Sequence, residues 1–253
     1  MKKRICLVTG ASGDIGRKIT AGFLKKGCFV VMIASNADRL EKTVNEEAFD
    51  PSSVMILPMD ISDEKSVIDG IRAVRERFGT IDFLVNAAGI CGEYALTQDY
   101  SYEGFRRIYE INVFGTFLMI KYTLPLMLEN GKGSIVNIAS VSGMMGYTYE
   151  AGYGSSKWAV IGLTKNVANE YGGRGVRCNS VSPGWVRSSM MEKTAEDYRK
   201  LDAGNIDEMI HYGSIHRCGE PDEIADAVCF LCSDEAAYIN GANIPVDGGM
   251  TVE

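Results

Sequence analysis

Hydrophobic positions along this chain follow two alternating rhythms. Short runs rich in apolar and β-branched residues occur at 5–9, 29–34, 54–59, 83–86, 135–139, 176–182 and 243–246. Runs of that length bounded by Gly, Asn, Asp and Ser predict seven strands. Between them apolar residues recur every three or four positions, as at Val67, Ile71, Val74 and Phe78, the spacing of a single helix face. The strand runs are continuous rather than alternating, so both faces of each strand are covered. Helices between successive strands then imply parallel, right-handed βαβ units. The pattern predicts an α/β fold, a doubly wound parallel sheet of about seven strands with helices on both faces. No Pro/Ser-rich linker, charge block or internal repeat interrupts the 253 residues, so residues 1–253 read as one domain. The least regular stretch, 187–219, follows a strand end, where α/β sheets bind ligands. It is expected to form a substrate lid, with a plain surface insertion as the alternative.

Composition removes several classes. With 46% hydrophobic and 23% charged residues, the chain is globular rather than disordered, collagenous or coiled-coil. A net charge of -7 without a basic stripe argues against nucleic acid as a partner. The start Met1-Lys2-Lys3-Arg4 resembles the charged end of a signal peptide, but Thr9-Gly10 breaks the apolar run at once. No window approaches the roughly 18 apolar residues of a membrane helix. No membrane partner is therefore expected, and the location is read as cytoplasmic. The seven Cys are odd in number and scattered, which predicts reduced thiols. Cys229 and Cys232 have C-x-x-C spacing, but they sit in a helical pattern with Pro221, Ile224, Ala225, Val228 and Leu231. They are expected to be buried thiols. His211 and His216 lack zinc-ligand spacing, so no metal is expected.

Two segments carry candidate chemistry. The first strand runs into Thr9-Gly10-Ala11-Ser12-Gly13-Asp14-Ile15-Gly16 and then a helix starting near Ile15. A strand, a glycine turn and a helix N-terminus in succession let backbone amides approach a pyrophosphate. Farther on, Tyr153 and Lys157 stand four residues apart, one turn along a helix face. A neighbouring cation favours phenolate and lowers the Tyr pKa, moving it toward the range of an effective proton donor and acceptor. Among 12 Tyr this is the only one with Lys at the fourth following position, although a surface pair would look the same. Ser140 follows the strand at 135–139, where a hydroxyl can hydrogen-bond a carbonyl as charge develops on its oxygen. Asn112 lies in the long helical segment 102–128 and alone would read as a satisfied buried amide.

Taken together, these segments resemble the short-chain dehydrogenase/reductase family, from Thr9 to Gly249. The loop resembles the motif TGxxxGxG, with Gly10 and Gly16 matching and Asp14 in place of the middle glycine. The resemblance implies a Rossmann sheet and a nicotinamide dinucleotide held by Gly10, Ser12, Asp14, Ile15 and Gly16. The Asp14 carboxylate would repel a pyrophosphate, so it is expected to point away or to cap the following helix. Ser35 stands where NAD-using members tend to carry an acid, and Asn36 where NADP-using members tend to carry Arg. Neither charge is present, Arg39 or Lys18 could reach in, and the balance tilts slightly toward NADP over NAD. Asp60 and Ile61 resemble the adenine contacts. Asn86, Ala87 and Gly89 resemble the NNAG motif, and Pro183, Gly184, Val186 and Ser188 the PG motif beside the nicotinamide, with Ser188 replacing Thr.

By the same resemblance, Tyr153 transfers the proton and Ser140 orients the carbonyl or alcohol. Lys157 holds the ribose hydroxyls while depressing the Tyr pKa, and Asn112 holds a water that relays protons to Lys157. The implied function is hydride transfer between NAD(P)(H) and a ketone or secondary alcohol. One alternative is a 3-oxoacyl-[acyl-carrier-protein] reductase, disfavoured by the acidic balance and by Asn169, where such reductases often have Arg. Another is a hydroxysteroid or sugar/polyol dehydrogenase, since Met144, Met145, Tyr147, Trp185, Met190 and Met191 fall near the predicted substrate side. A different class is a non-catalytic NAD(P)-sensing protein, against which the intact Asn112, Ser140, Tyr153 and Lys157 count. Family resemblance also implies a homotetramer.

Overall fold

All five residues of β1 (Ile5–Thr9) are buried, and the period-two geometry of a strand sends them to opposite faces. Cys6 and Val8 join one hydrophobic cluster, Ile5 and Leu7 the other. That is the physical origin of the continuous apolar run. The structure, a computed structural model, describes residues 3–201 and 213–252. The remaining strands are β2 (Phe29–Ala34), β3 (Val54–Pro58), β4 (Phe83–Asn86), β5 (Gly133–Ile138), β6 (Val176–Pro183) and β7 (Asn243–Val246). They form one seven-stranded sheet in the order β3-β2-β1-β4-β5-β6-β7, with every neighbouring pair parallel.

Helices α1 (Asp14–Lys25), α2 (Ala37–Glu46) and α8 (Pro221–Cys232) cover one face through Ile19, Phe23, Leu40, Ile224 and Val228. The opposite face is covered by α3 (Glu64–Phe78), α5 (Thr116–Glu129) and α6 (Ala151–Tyr171) through Val67, Ile71, Met119, Leu124 and Val167. Local chemistry sets the ends of these helices. Asp63 caps α3 by accepting the Lys65 N–H at 3.1 Å, and Gly79 ends it at φ 74°. Cys229 and Cys232 are buried on α8 as expected. A Cβ on Gly22 would stand 2.8 Å from the Cys229 sulfur, so α1 and α8 meet closely there. Burial pushes the Cys229 thiol up to about 12, which leaves it an inert packing group.

The long helical segment is a run of α4 (Tyr102–Tyr109), one π turn over Glu110–Gly115, and α5. Contrary to the expectation from the sequence, the 28-residue helical run Tyr102–Glu129 is long enough to cross a membrane, and an 18-residue window within it is apolar enough, with a mean hydropathy of 1.4. More than half of that window is buried, with Leu118, Met119, Ile120, Leu126 and Met127 packed on the sheet. Core packing accounts for this apolarity. The excursion at 187–219 contains α7 (Ser189–Lys200) and lies partly outside the described residues, at 202–212, together with His211. Its base is closed by Arg187 N donating to Gly219 O at 2.9 Å and Gly219 N donating to Trp185 O at 2.8 Å.

Candidate active site

Chains leaving β1 and β4 turn to opposite sides of the sheet, which opens a crevice beyond their C-terminal ends. Glycine is required on both sides of the first turn. Gly10 has φ 66°, and a Cβ there would stand 2.8 Å from the Ala88 Cα; on Gly16 it would stand 2.1 Å from the Gly10 oxygen. Gly13 caps α1 without a side-chain acceptor, so the first amides of the helix remain available to an anion. The Thr9 hydroxyl accepts the N–H groups of Ala87 and Ala88, each at 3.1 Å, and locks the exit of β4 against the loop. The resulting cleft, of about 1170 Å³, is lined by Gly10, Ser12, Asp14, Ile15, Gly16, Ser35, Asp60, Ile61, Ala87, Gly89 and Ser188. A glycine cradle that any Cβ would fill, opening on an uncapped helix start, fits the pyrophosphate of a dinucleotide.

Asp14 does not cap its own helix. Its Oδ2 accepts the backbone N–H of Ser189 at 2.8 Å and the Ser189 hydroxyl at 2.7 Å. Burial opposes ionisation there, but these two bonds, helped by the nearby Arg17 and Arg39 charges, hold the carboxyl below its ordinary range. The charge is thereby spent on the first turn of α7, away from the loop amides. At the adenosine end Asn36 is occupied as a helix cap, its Oδ1 accepting Arg39 N at 2.9 Å, and it lies outside the cleft lining. Lys18 is likewise committed, to Glu47 at 2.9 Å. Arg39 lines the cleft with no side-chain hydrogen bond or ion pair among the described residues. Asp60 lines it too, its carboxyl held low by the Ser62 hydroxyl at 2.7 Å.

A second cavity of about 860 Å³ adjoins the first, sharing Ile15, Ala87, Gly89, Ser188 and Met190. Its wall holds Ser140, Tyr153, Lys157, Pro183, Gly184 and Val186, and also Tyr147, Trp185, Met190 and Met191. Met144 instead packs with Ala139, Val160 and Ile161, and Met145 is exposed. Ser140 follows β5 and accepts the Ser142 N–H at 3.1 Å, which leaves its own hydroxyl proton free to donate. Tyr153 and Lys157 lie in the first two turns of α6, with Nζ 5.5 Å from the phenol ring centre. Lys157 is buried, donates to the Ile138 carbonyl at 2.9 Å, and is lowered to about 8 by that burial.

The Tyr153 phenol does not follow the expected direction. Burial pushes it well above its ordinary value, and the nearby Ser140 hydroxyl offsets only part of the rise. Loss of solvent around the phenolate is the larger effect, and Lys157, itself desolvated, does not bring the phenol down. Two asparagines also behave differently from expectation. Asn86 lies within the sheet, donating to Asn137 Oδ1 at 2.8 Å, and lines neither cavity. Asn112 sits in the π turn, where Nδ2 donates to the Ile90 carbonyl at 2.9 Å and to Ser156 Oγ at 3.1 Å, while Oδ1 accepts Ile90 N at 2.9 Å. Both amide donors are used, so one Oδ1 lone pair remains for a water.

Sequence reasoning missed Arg107, which lines the dinucleotide cleft beside Ser62, and Glu150, which lines the chemical cavity. A lone acid just ahead of a helix carries no signal beyond the ordinary preference for negative charge at a helix start.

A family model described as enoyl-(acyl carrier protein) reductase matches residues 10–251. Levodione reductase of Leifsonia aquatica is 35% identical over 98% of this chain and 94% of its own, and its crystal structure superposes with a TM-score of 0.93. A 3-oxoacyl-[acyl-carrier-protein] reductase of Thermotoga maritima is 33% identical over 100% of this chain and 99% of its own. Among solved structures, NAD+-bound xylitol dehydrogenase is 33% identical with a TM-score of 0.92, covering 97% of this chain and 98% of that one. ElxO with NADP bound is 28% identical with a TM-score of 0.92 and covers all of both chains. Fold, full-length similarity and family match agree: the chain belongs to the short-chain dehydrogenase/reductase family, NAD(P)-dependent oxidoreductases acting on alcohol and ketone groups.

Proposed function

We propose that this protein interconverts a ketone and its secondary alcohol with NADP(H) in preference to NAD(H), and that Tyr153 transfers the proton. The observation that carries this reading is the joining of two cavities, one built for a pyrophosphate and one holding Ser140, Tyr153 and Lys157 in a single wall. The bound nicotinamide supplies or accepts the hydride. Gly10, Ser12, Ile15 and Gly16 hold the pyrophosphate, Ser35, Asp60 and Ile61 frame the adenosine end, and Ala87, Gly89, Pro183, Gly184, Val186 and Ser188 line the nicotinamide end. Ser140 donates to the carbonyl oxygen and so stabilises charge developing there. Tyr153, kept neutral by burial, delivers its proton to the same oxygen, which suits reduction of the ketone. Lys157 binds ribose hydroxyls. Asn112 is a positioning residue that ties Ile90 to Ser156, beside Lys157.

The described part of the 187–219 excursion acts as a lid in this reading, with Met190, Met191 and Thr194 of α7 lining the cavity. Phe114, Phe117 and Trp158 are exposed on the long helices where a homotetramer would form.

Oxidation of NADPH followed by absorbance with a panel of ketones tests the activity, and silence across the panel would sink it. Cofactor choice rests on Arg39, a cation at the adenosine end that makes no side-chain hydrogen bond or ion pair among the described residues. An Arg bond to the 2′-phosphate of NADP is charge-assisted, and at this exposed position it is worth about tenfold in affinity. Arg39→Ala should accordingly collapse the ratio of NADPH to NADH affinity toward one in a binding titration. A wild type that prefers NADH overturns the NADP assignment.

A further inference from the structure

Polar groups on the wall of the chemical cavity are largely paired with one another rather than offered to a substrate. Thr194 donates to the Met190 carbonyl at 2.9 Å and shares a hydrogen bond of 2.7 Å with the Tyr94 hydroxyl. Ser188 donates to the Val186 carbonyl at 3.1 Å and accepts Met191 N at 3.2 Å. The Glu150 carboxyl already takes hydrogen bonds from Ser142 and Tyr198, and its second oxygen is enclosed. Trp185 Nε1 is enclosed as well, so this side chain offers the cavity ring carbons alone. Once Ser140 and Tyr153 are set aside for the reacting carbonyl, Tyr147 carries the one wall hydroxyl without a hydrogen bond among the described residues.

What faces the substrate beyond that carbonyl is therefore apolar. Val141, Met190, Met191 and the rings of Tyr94 and Trp185 line the space, and the flexible thioethers of methionine adapt to hydrocarbon of varied shape. Among the described residues of the wall, Lys157 is the one cation, already donating to the Ile138 carbonyl, and Glu150 the one acid. A substrate hydroxyl carried against such a wall gives up its water partners without replacing them, and a substrate carboxylate or phosphate gives up more, with a buried acid nearby and no second cation to meet it. A hydrocarbon group in the same place gains about fourfold in binding for each methylene withdrawn from water.

We infer that the preferred substrate is an uncharged ketone whose flanking groups are hydrocarbon, and that polyhydroxylated and anionic ketones are rejected. This rests on the oxidoreductase reading above and narrows it. Two pairs of ketones matched in shape test it. In the first, 3-pentanone and 1,3-dihydroxyacetone differ by methyl against hydroxyl at both ends; in the second, 4-methyl-2-pentanone and acetoacetate differ by isopropyl against carboxylate. An unpaired buried hydroxyl loses about 10–100-fold, so wild-type kcat/KM for the hydrocarbon member should exceed that for its partner by at least about tenfold in each pair. An adjacent hydroxyl makes a carbonyl more electrophilic, so intrinsic reactivity works against the expected order in the first pair. Met191→Gln keeps the length of the side chain and adds an amide to the wall; it should narrow the ratio of 3-pentanone to dihydroxyacetone by at least about threefold. Equal kcat/KM within either wild-type pair, preference for the hydroxylated or anionic member, or an unchanged ratio in Met191→Gln overturns the inference. Should Met191→Gln fail to fold, the two wild-type pairs decide. Turnover of any of the four ketones upholds the oxidoreductase reading whichever member wins, whereas silence on all four strikes that reading and this one with it.

Discussion

Replacing Tyr153 by Phe is expected to lower kcat for ketone reduction by about 10²–10⁴-fold, the usual size of a lost general acid. Only one oxygen leaves. The ring, with Lys157 Nζ 5.5 Å from its centre, keeps its place, so cofactor affinity and melting temperature should stay close to wild type. A separate signature comes from the proton itself. Because burial raises the phenol well above its ordinary value, the native state retains this proton past the pH at which an unfolded Tyr loses it. Wild-type reduction should therefore show no loss attributable to Tyr153 on approaching pH 10. The first alkaline bend belongs instead to Lys157, near 8. Equal kcat for wild type and Tyr153→Phe, measured at saturating cofactor, would remove Tyr153 from the chemistry.

The second large effect pairs a loss with a gain. Lys157→Met should reduce turnover by at least about 10²-fold and at the same time raise thermal stability at neutral pH. Burial moves the Lys157 pKa from 10.5 to about 8, so keeping it charged in the native state costs about 3 kcal/mol. That cost is fully present below pH 8. Between 8 and 10.5 the native Lys sheds its proton before the unfolded one does, the unfolded state binds more protons, and wild-type stability rises with pH from this group. Methionine fills a similar volume without charge but abandons the bond to the Ile138 carbonyl, a loss of about 1–2 kcal/mol. A net gain of about 1–2 kcal/mol is expected at pH 7, shrinking steadily toward pH 10. Denaturation at the two pH values checks it. A variant less stable than wild type at pH 7 contradicts the assigned cost of this buried charge.

The fold was legible because its signal is local and repeated. Each strand of a covered parallel sheet must be apolar on both faces, and the helices between must be apolar on one, so periodicity alone located the seven strands to within a residue or two at most ends. Gly10 and Gly16 were legible for a similar reason, since a turn that admits no Cβ leaves glycine as the residue that fits. What escaped depends on neighbours distant in sequence. Asn36 caps α2 rather than facing the cleft, a choice between two hydrogen bonds that composition does not encode. The direction of the Tyr153 shift depends on depth of burial, a property of the assembled sheet and helices. The π turn around Asn112 carries the same apolar pattern as an α-helix. Glu150 was invisible because a single acid says nothing about which cavity it will face.

Asp14 spans two parts of the molecule that would otherwise respond separately to their ligands. It opens the helix at the phosphate loop, and its carboxylate holds the first backbone N–H of α7, whose residues roof the chemical cavity. A ligand that settles one of these elements therefore settles the other. Such coupling is reciprocal: whatever factor the dinucleotide adds to substrate affinity through this link, the substrate returns to the dinucleotide. Cooperativity between the two cavities would then be set by one carboxylate at a position where the family motif has glycine.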